Sequence, residues 1–125
     1  MIVFRHCVSN FGNIVLECSG HVPYGRRNGK TICAAATALM ASLVAALRKI
    51  DRPTLRLTVE ERIDSEYPNG FVSIRCKYAP ETASMTQVTI AGFEWLAEKA
   101  PLAVRIERVT GKSFSESGKK SAKER

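Results

Sequence analysis

Apolar and polar residues alternate with a period of two from Ile2 to Val8 and again from Ile14 to Ser19, the pattern of half-buried strands. The run Ser9-Asn10-Phe11-Gly12-Asn13 between them is rich in turn formers, so the two segments predict a β-hairpin. A register centred on that turn sets Arg5 opposite Glu17 on the outer face. Ile2, Phe4, Val8, Ile14, Leu16 and Cys18 then turn to the core. Cys7 falls on the other face from Cys18, which argues against a disulfide between them.

Beyond a glycine-rich basic loop from Gly20 to Lys30 the period lengthens. Thr31 is a fair N-cap for a helix from about Ile32 to Lys49, with apolar positions 32, 35, 36, 39, 43, 46, 47 and 50 on one face. The other face, with Cys33, Ala34, Ala38, Met40, Ala41, Val44 and Ala45, is nearly as apolar. A helix apolar all round needs cover on both sides, and in a one-domain chain a second subunit is the expected second cover. Pro53 ends the connection, and Thr54 to Glu61 reads as a strand with Leu55, Leu57 and Val59 inward. The turn Pro68-Asn69-Gly70 leads to a strand from Phe71 to Tyr78 with Val72, Ile74 and Cys76 inward. Ser84-Met85-Thr86-Gln87 fits a capping box that opens a second helix to about Lys99. Met85, Val88, Gly92, Trp95 and Leu96 form its expected core stripe, with Gly92 marking a close backbone approach. Pro101 stops it, and Leu102 to Val109 alternates as a fifth strand. The order ββαββαβ predicts an α+β two-layer sandwich: a mostly antiparallel sheet with both helices on one face.

Composition narrows the class. With 125 residues, 45% hydrophobic and 25% charged, the chain has material for one soluble domain over residues 1–110. Of the net charge of +7, the Ser/Lys segment 111–125 holds five Lys or Arg and two Glu, and its composition predicts a disordered tail. A basic surface favours acidic partners, so RNA contact through that tail is one expectation. The four cysteines and two histidines show neither CxxC nor paired ligand spacing, which argues against a metal; no cofactor is expected. The start has no apolar run behind a basic region, and Ile32 to Leu47 reads as too short and too alanine-rich to span a bilayer. Reduced cysteines in the cytoplasm are the consistent expectation.

Lone cysteines are most often small buried hydrophobes, a reading that suits Cys18 and Cys76. Cys33 differs, because the predicted helix places it in the first turn, where unpaired N–H groups and the helix dipole favour a thiolate. His21 sits in a glycine-flanked loop that joins a strand end to that helix start, so the return of the chain brings it near Cys33. A Cys–His pair there supplies a nucleophile and a base, and helix-start amides could receive an oxyanion. His6 alternates onto the apolar face of the first strand, where a satisfied core histidine is expected. The run from Gly25 to Thr31 has the flavour of a phosphate-binding loop, but it has three residues between its glycines where four are needed.

Gly20-His21, the twelve-residue step to Cys33, and the run Cys33-Ala34-Ala35-Ala36-Thr37-Ala38-Leu39 resemble the ribosomal-processing cysteine protease family, Prp. The order of elements over about residues 1 to 109 and the stretch Gly92-Phe93-Glu94-Trp95-Leu96-Ala97 are also similar. The resemblance implies a Cys–His dyad with Cys33 as nucleophile and His21 as base, in a homodimer. It further implies a protein substrate: the N-terminal extension of a bacterial large-subunit ribosomal protein, or a phage capsid or scaffold protein, cut after paired aromatic residues. Gly20, Tyr24, Gly29, Lys30, Thr31 and Thr37 are the accessory or substrate-loop positions. Lys30 stands where the family carries an acid three residues before the cysteine, and Thr37 replaces a serine while keeping a hydroxyl one turn below the thiol. Lys30 and the basic tail also suit a second class, a ribosome- or RNA-associated binding protein with a degenerate active site.

Overall fold

The computed structural model describes residues 1–8, 12–23, 28–50, 52–67 and 69–109. Tyr24, the tip of the first hairpin and the basic tail lie outside these residues. The strands β1 (Ile2–Val8), β2 (Asn13–Gly20), β3 (Thr58–Arg62), β4 (Phe71–Lys77) and β5 (Val104–Arg108) form one sheet in the order β3-β4-β2-β1-β5. Helices α1 (Gly29–Arg48) and α2 (Pro80–Lys99) lie on one side of it. The expected α+β architecture is the observed one. Three strand pairs are antiparallel, and β5 returns parallel to β1.

The first hairpin has the register that alternation demands, with Arg5 opposite Glu17 and Phe4 opposite Cys18. Its inward residues Ile2, Phe4, Ile14 and Leu16 are almost fully buried. They meet Leu43 and Leu47 of α1 and Phe93 of α2, whose ring stacks on Phe4 with centroids 3.9 Å apart. Burying a side chain of this size stabilises the fold by about 1.5–3 kcal/mol. Gly92 marks a close approach as expected: a Cβ there would lie 2.6 Å from Leu39 Cδ2 of α1.

Several boundaries differ from the sequence reading. Helix α1 begins at Gly29 after Asn28 in the left-handed region, three residues before the expected start, so Thr31 lies inside the first turn and caps nothing. It is 20 residues long and apolar enough in composition to cross a bilayer, longer than the pattern suggested. Ile32, Ala36, Met40, Leu43 and Leu47 turn one face of it into the fold, and a third of its apolar stretch is buried. The third strand starts at Thr58, because Pro53–Leu55 winds into a short 3-10 turn and Arg56 takes a positive φ of 49°.

Helix α2 begins at Pro80, not at Ser84. The hydroxyl of Thr82 accepts from Ala79 N–H at 2.8 Å, while Ser84 donates back to Pro80 O. Its buried face is Thr82, Thr86, Thr89, Ile90, Phe93 and Leu96, whereas Val88 and Trp95 are 71% and 58% exposed. The threonines can pack like valines because Thr86 and Thr89 donate their hydroxyls to the carbonyls of Thr82 and Met85 one turn back.

Candidate active site

Strand β2 ends at Gly20, whose φ of +94° and crowding against Met1 O exclude a side chain. The chain then turns over the start of α1. The amine of Met1 donates to His21 O at 2.7 Å, which ties this bend to the beginning of β1. Gly29 is the matching device on the helix. A Cβ there would lie 2.5 Å from Pro23 O, so only glycine lets residues 22 and 23 lie on the helix start. Two glycines thus press the segment from His21 to Pro23 against the second turn of α1.

That closure brings His21 to Cys33. Their Nδ1 and Sγ atoms are 3.6 Å apart, a sulfur hydrogen-bond distance. Val22 N–H donates to the same sulfur at 3.4 Å, and the thiol also faces Val22 O at 3.7 Å. With Nδ1 as the unprotonated ring nitrogen, His21 can accept the thiol proton, and Val22 O is the other acceptor within reach. The thiolate left by its transfer keeps a donor in the buried amide of Val22.

The helix start contributes less than expected. Cys33 is the fifth residue of α1, not part of its first turn, and the amide of Ile32 already bonds Asn28 O at 2.9 Å. The unpaired amides stand a turn above the sulfur, where the dipole effect is fading. Stabilisation of a thiolate falls instead to Val22 N–H, a backbone group without a residue-type signature. Thr37 spends its hydroxyl on Cys33 O at 2.9 Å rather than on the thiol. Lys30 and Thr31 are exposed at the helix start.

Cys33 and His21 open onto a groove of about 520 Å³. One wall is the face of α1 that carries Ala36, Thr37, Met40, Ala41 and Val44; the floor includes Cys18, Phe71 and Val72. Among the described residues, the apolar wall beside the dyad comes from the helix and the sheet. Cys18, read as a plain hydrophobe, is a groove residue. Burial pushes its thiol up to about 12, with the nearby Cys33 adding to the rise. Alternation on β2 could have located it, because it lies on the inward face two residues before Gly20. Cys7 and Cys76 are buried away from the groove, and burial raises both thiols. His6 is partly buried, stacks on Phe4 and is held below the ordinary histidine range by that burial. Among the described residues, no three His, Cys, Asp or Glu side chains gather as metal ligands would.

No family model and no curated protein matches the chain. Solved structures do. SMU.848 from Streptococcus mutans superposes with a TM-score of 0.69 at 25% identity, over 88% of this chain and 95% of that one. The ribosomal processing protease Prp from S. aureus, in complex with a covalently linked product peptide, superposes with a TM-score of 0.66 at 19% identity. The match spans 87% of this chain and all of that one. The same protease in complex with a substrate peptide gives 0.61 at 15% identity, with the same coverage. The chain has the fold of the ribosomal processing protease Prp.

Proposed function

We propose that the chain is a cysteine endopeptidase with Cys33 as nucleophile and His21 as general base. The observation that carries the reading is the sulfur itself: 3.6 Å from an imidazole nitrogen, 3.4 Å from a buried amide donor, and open to an apolar groove. His21 takes the thiol proton, and the thiolate, held by Val22 N–H, attacks the scissile carbonyl carbon. The tetrahedral intermediate collapses as His21 returns the proton to the leaving amine and the C–N bond breaks. Water then hydrolyses the thioester.

The two S. aureus structures with peptides support a protein substrate, and the groove supports bulky apolar side chains on it. The substrate of this reading is a bacterial large-subunit ribosomal protein near its N-terminus, or a phage capsid or scaffold protein, cut after paired aromatic residues in the cytoplasm. The enzyme works as a homodimer, a reading supported by the exposed apolar positions of α1 outside the groove, Ala34 and Ala38.

The test is incubation of the chain with the ribosomal protein, the capsid protein and a Phe-Phe peptide, with mass spectrometry of the new termini. Cys33→Ala is expected to abolish cleavage, and His21→Ala to slow it about 10²- to 10⁴-fold. Unchanged cleavage by His21→Ala would remove the dyad. No cleavage, together with tight salt-sensitive RNA binding, would favour the RNA-associated reading.

A further inference from the structure

Strand β3 contains a position that its own alternation does not explain. Val59 pairs with Ile74 and Glu61 with Val72, so both belong to the sheet face that the helices cover. Val59 is half-buried there, as the period requires. Glu61 is an acid at the next inward position, exposed, and it lines the groove that holds Cys33 and His21. Its neighbours on β3 are engaged: Arg62 pairs with Glu60, Asp64 and Glu66. Among the described residues nothing bonds or pairs with the Glu61 carboxylate.

The register locates this carboxylate. Cys18 pairs with Val72 across β2 and β4, and Val72 pairs with Glu61 across β4 and β3, so the three residues form one cross-strand row. Two strand spacings separate the ends of that row by about 10 Å, the length of about three residues of extended peptide. Cys18 lies near enough to Cys33 to feel its charge, Cys33 meets His21, and all three line the groove. The groove's other wall also offers a cation, Arg48, but it stands fifteen residues along α1 from Cys33, or about 22 Å. The acid is therefore close to the nucleophile, while the chain's own groove cation is far from it.

We propose that Glu61 is a specificity-determining residue whose carboxylate receives a lysine or arginine side chain of the peptide in the groove, within about three residues of the bond that Cys33 attacks. The inference rests on the peptidase reading of the groove. It specifies that the substrate presents a basic side chain beside its apolar ones. A competing role exists for an inward charge on an edge strand, which is to discourage pairing with a second sheet. That role carries no preference for the charge of a peptide, so charge preference separates the two.

The experiment uses fluorescent peptides with a Phe-Phe pair and one lysine walked through the neighbouring positions, each matched to the same peptide with norleucine in its place. Binding is read on the Cys33→Ala chain and cleavage on the intact one, with thermal melts to verify folding. At one position lysine is expected to improve binding and kcat/KM about three- to fivefold, the scale of a solvent-exposed ion pair. Glu61→Gln should bring that ratio to about one, and Glu61→Lys should invert it toward a glutamate-bearing peptide. Cleavage with the same lysine ratio in the intact chain and Glu61→Gln would overturn the inference and leave the peptidase reading standing. Binding with the preference but no cleavage would do the reverse. Peptides neither bound nor cut would overturn both.

Discussion

On the face of the sheet that the helices cover, Cys33, His21 and Cys18 gather at the rim of an apolar groove. On the opposite face no helix lies among the described residues, and the strands carry charged side chains beside a small buried cluster of Cys7 and Val15. The register sets Glu60, Ser73, Glu17, Arg5 and Glu107 in one row across all five strands. Arg5 Nη1 bonds Glu17 Oε1 at 3.2 Å, and Nε lies 3.2 Å from Glu107 Oε2, an ion pair too poorly aligned to be a hydrogen bond. Glu17 is only 7% exposed, and burial raises its carboxyl pKa against the pull of Arg5 and Arg75. The open face thus holds its charge by close pairing, which makes a lid of long side chains over the sheet. The groove face holds its sulfur by longer contacts from an imidazole and one amide, which leaves it free to react.

The contrast is tested most strongly by thiol chemistry. Iodoacetamide near pH 8 is expected to label Cys33 about a thousandfold faster than Cys18, its groove neighbour, with peptide mapping as the readout. A thiol pushed up to about 12 is ionised to roughly one part in 10⁴ at that pH. Comparable rates at the two cysteines would show that burial does not separate them.

On the other face the expected effect is on stability. Arg5→Ala leaves Glu17 buried without its nearest cation and should cost about 2–3 kcal/mol in denaturant unfolding, with cleavage per folded molecule unchanged. The pH dependence has a definite sign. A carboxyl whose folded pKa is raised contributes its stability below the unfolded value, near 4, and loses it as pH rises through the folded value. The Arg5→Ala deficit should therefore shrink as pH falls from 7 toward 4. A deficit that did not shrink on acidification would mean that Arg5 stabilises the fold by something other than its charge on the Glu17 carboxylate.

The smallest effect belongs to Thr37. Because its exposed hydroxyl serves the Cys33 carbonyl and not the thiol, Thr37→Val should change stability by less than about 0.5 kcal/mol and kcat/KM by about twofold or less. A large loss of kcat alone would place that hydroxyl in the chemistry.

Much of this was legible from residue order. Period-two alternation predicted the hairpin and its Arg5–Glu17 pairing, because a half-buried sheet allows one register only. The helix face of α2 was misread from Val88 and Trp95, since the rule that polar residues point outward fails for threonine. A threonine hydroxyl can satisfy itself on its own helix, so burial of Thr82, Thr86 and Thr89 depends on what packs above them. The start of α1 was missed by three residues, because Asn28 in a left-handed conformation, and not a side-chain cap, sets it.

By itself the sequence determined the element order and the inward set of the hairpin, which follow from local periodicity. The candidate pair came from a loop that returns to the helix start and from a family resemblance in its spacing. Only the tertiary structure decided that His21 and Cys33 meet at 3.6 Å, that Val22 supplies the donor to the sulfur, and that Cys18 and Glu61 join the same groove. Those facts depend on a backbone amide and on side chains brought together from separate strands. Neither leaves a mark in the order of residue types, because the chain must close on itself before they become neighbours.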